Sequence, residues 1–279
     1  MSTATLTPSK VAPAPPSPSE LRVTQARVIR SEWIKFWSLC STVITLATAV
    51  ALLVGIGLLA SSMLDSGAAA GGPGGGPGEL GPIDASLAGL TFAQLAFGTL
   101  GVLFMASEYG TGMIRSSLTA VPKRLPVLWG KIAVFAVVVF VIGLGASAIA
   151  FTGGQALISD GAASWSDAGV TRAVLGSAVV LAGYGVLGLA LGALLRSTPA
   201  AISTLFGAMF LLSGVAHLLL PDSWRDNVVQ YLPANAGSSF TAVTQGADAL
   251  GPWAGLAVFV AYVAAVVVGG AWRLKRSDA

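Results

Sequence analysis

The side chains able to do chemistry are few, and their spacing rules most of it out. There is one cysteine, Cys40, and one histidine, His217. A single thiol forms no disulfide within the chain. One thiol and one imidazole, with no carboxylates near them in sequence, do not make a conventional zinc or haem site. No HExxH pair exists for a metalloprotease, and His217 has no serine in a recognisable glycine-rich setting for intramembrane proteolysis. A Walker A sequence is absent too. Its nearest fragment, Gly130-Lys131, is followed by Ile132 and opens an apolar stretch, so it cannot cradle a phosphate. The glycine run Gly67–Gly78 follows no strand and reads as a flexible external linker. The expectation is a protein that is not an enzyme by itself and uses no metal and no cofactor.

The informative segment is SEYGTGMIRSSLTAVPKRLPVLWGK, Ser107–Lys131. Glu108 closes an apolar stretch, and Gly110 and Gly112 permit a sharp turn. Met113–Ala120 can form about two helical turns, with Met113 and Leu118 apolar and Arg115 polar. Pro122 ends that helix, because the residue before a proline avoids the helical region. Lys123 and Arg124 follow as cytosolic charges. The product is a short helix across the inner mouth of the protein, a mechanical handle for another protein. The same residues also fit an ordinary cytosolic loop, and the physics leaves both readings open.

The elements that must position this segment are membrane helices. Charged residues are 10% of the 279, against about 25% in a soluble domain, and apolar residues reach 54%. Mean hydropathy is +0.80. The windows 36–64, 85–107, 132–159, 173–195, 197–221 and 249–272 hold no Asp, Glu, Lys or Arg. Each is long enough for a helix of about 20 residues to cross the hydrocarbon core. Helix cores are expected at 42–63, 87–107, 128–151, 173–195, 199–220 and 252–272. A seventh window, 227–247, is too polar to span and reads as an ordered external loop, with room for a short helix.

The predicted fold class is an all-α integral membrane protein of six transmembrane helices. The positive-inside rule places both ends in the cytosol. In that orientation 13 of the 15 Lys and Arg lie inside, and only Arg172 and Arg225 outside. The distribution at span ends, rather than in one patch, argues against nucleic acid as a partner despite a net charge of +3. Residues 1–19, rich in Pro, Ala, Ser and Thr, read as a disordered cytosolic tail and not as a signal peptide. Residues 20–40 read as an amphipathic interface helix on the cytosolic face of the bilayer, with Ile29, Trp33, Phe36, Trp37 and Cys40 at helical spacing and Arg22, Arg27 and Arg30 mostly elsewhere. A plain basic flank is the alternative. The six-span transmembrane domain is 41–276.

No charge is expected inside a span core, which argues against an ion-driven carrier. His217, near the outer end of the fifth span, is either an interfacial packing residue or part of a gate. Gln94 and Thr99 in the second span, and Ser203, Thr204 and Ser213 in the fifth, either bond between helices or line a path. Gly188 and Gly192 permit a close helix contact.

The pattern Glu108-Tyr109-Gly110-Thr111-Gly112, then Arg115, Leu118, Pro122, Lys123 and Arg124, resembles the motif after the second span in type-2 permeases of ATP-binding-cassette (ABC) exporters. RSEWIKFWS, Arg30–Ser38, resembles the lead into their first span, and the six-helix layout matches over about residues 22 to 276. One departure is Met113, where many relatives carry a small residue. The resemblance implies a coupling helix between spans two and three, with Glu108, Gly112, Arg115, Pro122, Lys123 and Arg124 as coupling residues. It implies as partners two cytosolic ABC ATPase subunits and a second permease copy or similar subunit, all assembled at the cell membrane. It assigns no substrate residue. The alternatives are a stand-alone carrier or channel, or a non-transporting membrane assembly or immunity factor.

Overall fold

A computed structural model describes residues 24–67, 81–113, 125–219, 221, 227–244, 246 and 249–276. The N-terminal tail, most of the glycine linker and segment 114–124 lie outside these residues. All regular structure among the described residues is helical. Helix α1 is Gln25–Ser38, α2 Cys40–Asp65, α3 Pro82–Ser86, α4 Leu90–Gly110, α5 Leu125–Ala156 and α6 Val170–Leu195. Helix α7 is Thr198–Phe206, α8 Leu212–Leu219, α9 Pro233–Thr241 and α10 Pro252–Arg276. Six helical stretches are long and apolar enough to cross a membrane: α2, α3–α4, α5, α6, α7–α8 and α10. Helices are what such apolar sequences must form in lipid, where each backbone N–H and C=O needs a partner within its own segment. The chain thus has the make-up of a multi-pass membrane protein.

Helix starts follow the proline rule. Pro82, Pro199, Pro233 and Pro252 stand in first turns, where the missing N–H is no loss. Helix α6 ends at Arg196, which takes the left-handed conformation (φ 56°) usual for glycine and donates its N–H to Gly192 O at 3.0 Å.

Helix α6 is the centre of the bundle, 72% buried over its apolar window, and α4 lies against it. Their seam is built of small residues. A Cβ on Gly188 would fall on the Gly98 carbonyl, and one on Gly101 would fall on the Gly185 carbonyl. Lipid tails are as apolar as leucine, so contact of this kind, and not hydrophobic collapse, drives helices together in a membrane. The Gly188/Gly192 pair therefore packs α6 onto α4. Helix α5 covers another side of α6, and α10 a third. The fifth apolar stretch is peripheral, only 17% buried, and is interrupted by a π turn at Gly207–Leu211. Ser203 and Thr204 are exposed on it, and the Thr204 hydroxyl is satisfied by Ala200 O at 2.8 Å. Gln94, on α4, is buried. The side chain of His217 lies outside the described residues.

The polar window 227–247 contains a short helix, as its composition left room for. Its helix α9 wedges between α6 and α10. Arg172 holds the C-terminal end, donating from Nη1 to Phe240 O (2.6 Å) and from Nη2 to Ala242 O (2.9 Å). The Tyr184 hydroxyl holds the other end, donating to Pro233 O at 3.2 Å. Arg172 and Tyr184 are separated by about 18 Å along α6 at 1.5 Å per residue. The segment therefore reaches deep along α6, with its free carbonyls capped by a cation, as a helix C-terminus favours. At the same end of the bundle Gln155 Nε2 donates to Pro82 O and Ser86 Oγ, both at 2.8 Å, and Gln155 Oε1 accepts from Ala163 N–H at 2.6 Å. These bonds seat the short α3 on α5.

The seam gives a test. Gly188→Val should drive a side chain into the Gly98 carbonyl and cost about 1–3 kcal/mol or more, seen as a lower melting temperature in mild detergent. Gly145, with nothing near its missing Cβ, should tolerate Gly145→Ala unchanged or with a small gain from helix propensity.

Candidate functional site

Helix α1 presents three stripes. Val28, Glu32 and Phe36, spaced by four, are buried against the bundle. Ile29, Trp33 and Trp37, the next stripe round, are exposed. Arg30 is exposed beyond them. Phe36 thus leaves the tryptophan face expected of it and enters the core, where it meets Phe104 and Phe135 edge-on at 5.4 and 6.1 Å. Helix α1 runs along the start of α5. Gln25 Nε2 donates to Pro126 O at 3.0 Å, and a Cβ on Gly130 would lie 3.0 Å from Val28 Cγ1.

This docking brings four charges together. Lys131, in the second turn of α5, is 0% exposed. Its Nζ donates to Glu32 Oε2 at 2.7 Å and to Glu108 Oε1 at 2.8 Å. Lys35 Nζ donates to Glu32 Oε1 at 3.0 Å and to Glu108 Oε1 at 3.2 Å. Glu32 and Glu108 are 2% and 3% exposed. The Phe104 ring lies 4.5 Å from Lys131 Nζ, adding a cation–π contact. Two carboxylates and two ammonium groups make the set formally neutral. That neutrality is the condition for burial, since one unpaired ion in an apolar site costs several kcal/mol. The cluster ties three separate elements: α1 through Glu32 and Lys35, the last turn of α4 through Glu108, and α5 through Lys131.

Lys35 lies on the water side of the set. Burial pulls its pKa down, but the carboxylates of Glu108 and Glu32 outweigh this, and the net shift is upward. Its contribution to stability is therefore complete below the ordinary lysine value of 10.5. It is lost only as pH climbs through the raised value.

Beside the cluster, the Arg196 guanidinium sits 5.2 Å from the Tyr109 ring centroid, joining the α6–α7 corner to the end of α4. Helix α4 ends at Gly110 and the chain turns at Gly112, whose φ is +71°. Of the two glycines read as turn formers, Gly112 alone needs the left-handed region.

Glu108 and Gly112 thus meet at one joint. Met113 is exposed at its edge, and Arg115, Pro122, Lys123 and Arg124 lie outside the described residues, as does the proposed helix they belong to. No motif marks Glu32 or Lys35 in the sequence, and Lys131 stands there only beside Gly130 in a fragment that is no P-loop. The expectation of no charge inside a span core fails at Lys131, which lies within the expected core 128–151 and is buried, whereas Glu108 stands one residue beyond the core 87–107. Helices α4 and α5 run past the charge-free windows, so Glu108 and Lys131 are buried helical residues, tolerated because each neutralises the other. The signal available was the Glu32–Lys35 spacing of three on one helix face, and a lysine set between Gly130 and Ile132. Among the described residues no three of His, Cys, Asp and Glu converge as metal ligands.

Arg27, Arg30, Lys35, Lys131, Arg196, Arg273, Lys275 and Arg276 all gather at the end of the bundle that holds this cluster, where Leu274 packs into the same core as Phe36. Arg172 is the exception among the described Lys and Arg, and it caps α9 at the other end. Exposed tryptophans mark both ends: Trp33, Trp37, Trp129 and Trp272 at the cationic one, Trp165 and Trp253 at the other. Compared with known families and with curated proteins, the chain matches no family model and no curated protein.

A double-mutant cycle tests the cluster. Lys131→Met leaves two carboxylates to one lysine and should cost about 3 kcal/mol. Combining it with Glu108→Gln restores charge balance, so the double variant should lose at least about 1 kcal/mol less than the sum of the singles. Additive losses in detergent unfolding would mean that the four charges act separately.

Proposed function

We propose that the chain is the membrane-spanning permease subunit of an ATP-driven ABC exporter, with both ends in the cytosol and the cluster at the inner face of the cell membrane. The observation that carries the reading is the position of Glu108. It lies in the last turn of α4, just before the segment 111–124, whose residues resemble the coupling motif, and it is ion-paired to both α1 and α5. A push delivered to that segment reaches three helices at once through buried charges. A rearrangement between inward- and outward-facing states needs such a shared joint. In this reading Gly112 is the turn and Arg115, Pro122, Lys123 and Arg124 form the docking face for the ATPase. Two permease copies, or one with a similar subunit, enclose the path between them. The gathering of Lys and Arg at one end, with tryptophans at both, supports the cytosolic placement of the cluster.

A stand-alone ion-coupled carrier is the second reading. It draws on Glu108 Oε2, which is buried and finds no hydrogen-bond partner among the described residues.

Expression with its neighbouring reading frames and purification in mild detergent decides between them. The exporter reading expects a GxxxxGK[ST] ATPase to travel with the chain, ATP hydrolysis by the complex only, and loss of export with Glu108→Gln at unchanged membrane insertion. Arg115→Glu should also loosen the ATPase. Export by the chain alone, driven by a proton gradient without ATP, would establish the carrier.

The topology has its own check. In a Cys40→Ser background, single cysteines at Ser66 and Ser238 should react with an impermeant thiol reagent on whole cells, and one at Ser277 should not. Labelling at Ser277 would invert the chain or change the number of spans.

A further inference from the structure

The cationic end of the bundle has a property that neither the spans nor the coupling reading requires. Its described carboxylates, Glu32 and Glu108, are both buried and both held by lysines. Among the described residues, what remains on the surface there is one sign of charge. Arg27, Arg30, Arg273, Lys275 and Arg276 are exposed there, and no described acidic side chain is exposed beside them. A surface that merely set topology could carry its acids outside. Here they are consumed by the internal cluster.

The exposed stripe of α1 stands in this field. Ile29, Trp33 and Trp37 are 38%, 45% and 42% exposed, and the two indoles pack edge-on at 6.0 Å. Arg30 flanks the stripe, three residues before Trp33, on the side away from Glu32. The exposed apolar run continues through Leu39 into Val43 and Ile44 of α2, a helix long and apolar enough to span. That continuity fits acyl chains better than a soluble protein, whose interface would stop at the water boundary.

We infer that the α1 rim is a binding site for anionic phospholipid, with the Arg30 guanidinium on the headgroup phosphate and the Ile29–Trp33–Trp37 stripe among the upper acyl chains. A planar guanidinium matches phosphate with two parallel hydrogen bonds. Indoles settle at the headgroup level. The cationic field of the α10 end draws the same lipids from the leaflet, each charge contributing about fivefold at the membrane surface. The inference rests only on α2 spanning a bilayer, and it stands whether or not an ATPase partner exists.

Cys40, the exposed cysteine at the α1–α2 junction, supplies a local probe. The full chain carries one fluorophore there and is reconstituted in phosphatidylcholine vesicles. These contain a small fraction of either phosphatidylglycerol or phosphatidylcholine bearing a spin-labelled acyl chain. At low salt the anionic lipid should quench at a several-fold lower mole fraction than the zwitterionic one. Arg30→Gln should cut that preference about fivefold, whereas Arg30→Lys should keep most of it. At 1 M salt, where screening acts within about 3 Å, the preference should collapse. A dye on a cysteine at Ser238 in the Cys40→Ser chain should show no preference. Equal quenching by the two lipids at low salt, or a preference untouched by Arg30→Gln, would overturn the assignment. So would a soluble protein that co-purifies and shields the Cys40 dye from both lipids, since the stripe would then belong to that protein.

Discussion

The structure depends on a lysine that has no access to water. Lys131 sits in the second turn of a membrane helix at 0% exposure. An ammonium group in that place is tolerable only if carboxylates reach it, and two do, from two different elements. The need is mutual. Glu32 and Glu108 would be equally costly alone. The consequence is architectural: α1, although short and peripheral, is locked to α4 and α5 by charges that cannot be separated one at a time. The aromatic floor of Phe36, Phe104 and Phe135 strengthens the lock by excluding water and lowering the local dielectric.

The rest of the bundle holds by a different physics. Between α4 and α6 there are no charges to pair and no hydrophobic force to exploit, so glycines bring the two backbones into direct contact. This seam is rigid because packed backbones have little room to slide. At the far end, hydrogen bonds from Arg172, Tyr184 and Gln155 seat α9 and α3. The molecule therefore combines a stiff centre with two polar ends. One end carries the ionic joint and the other carries neutral hydrogen bonds and a capped helix.

That division bears on the function proposed. A device driven from the cytosol needs a place where a local push becomes a movement of several helices, and ionic contacts between helix ends suit this better than interlocked glycines. Glu108 belongs to both parts, since its helix packs α6 along the glycine seam and ends at the cluster. The same internal pairing that neutralises Glu108 and Glu32 leaves the described side chains on the surrounding surface cationic, so the joint and the inferred lipid site are two results of one arrangement.

What the sequence by itself determined is the scale of the molecule: six apolar helical stretches, their approximate limits, the close-packing Gly188/Gly192 pair and the asymmetry of basic residues. Each follows from local composition, because lipid imposes the helix and its length on any long apolar run. The tertiary structure decided what local composition could not. Lys35 and Lys131 look like ordinary flanking charges until α1 folds back along α5 and delivers Glu32, about 100 residues away in the chain. Phe36 has tryptophan neighbours that suggest an interfacial face, yet the angle at which α1 docks turns it into the core. The window 227–247 is too polar to span, and composition places it outside. Its short helix packs against α6 and α10, where Arg172 and Tyr184 donate to its backbone carbonyls. In each case the deciding partner is remote in sequence, and burial of a polar group is set by the partner it finds, not by the residues beside it.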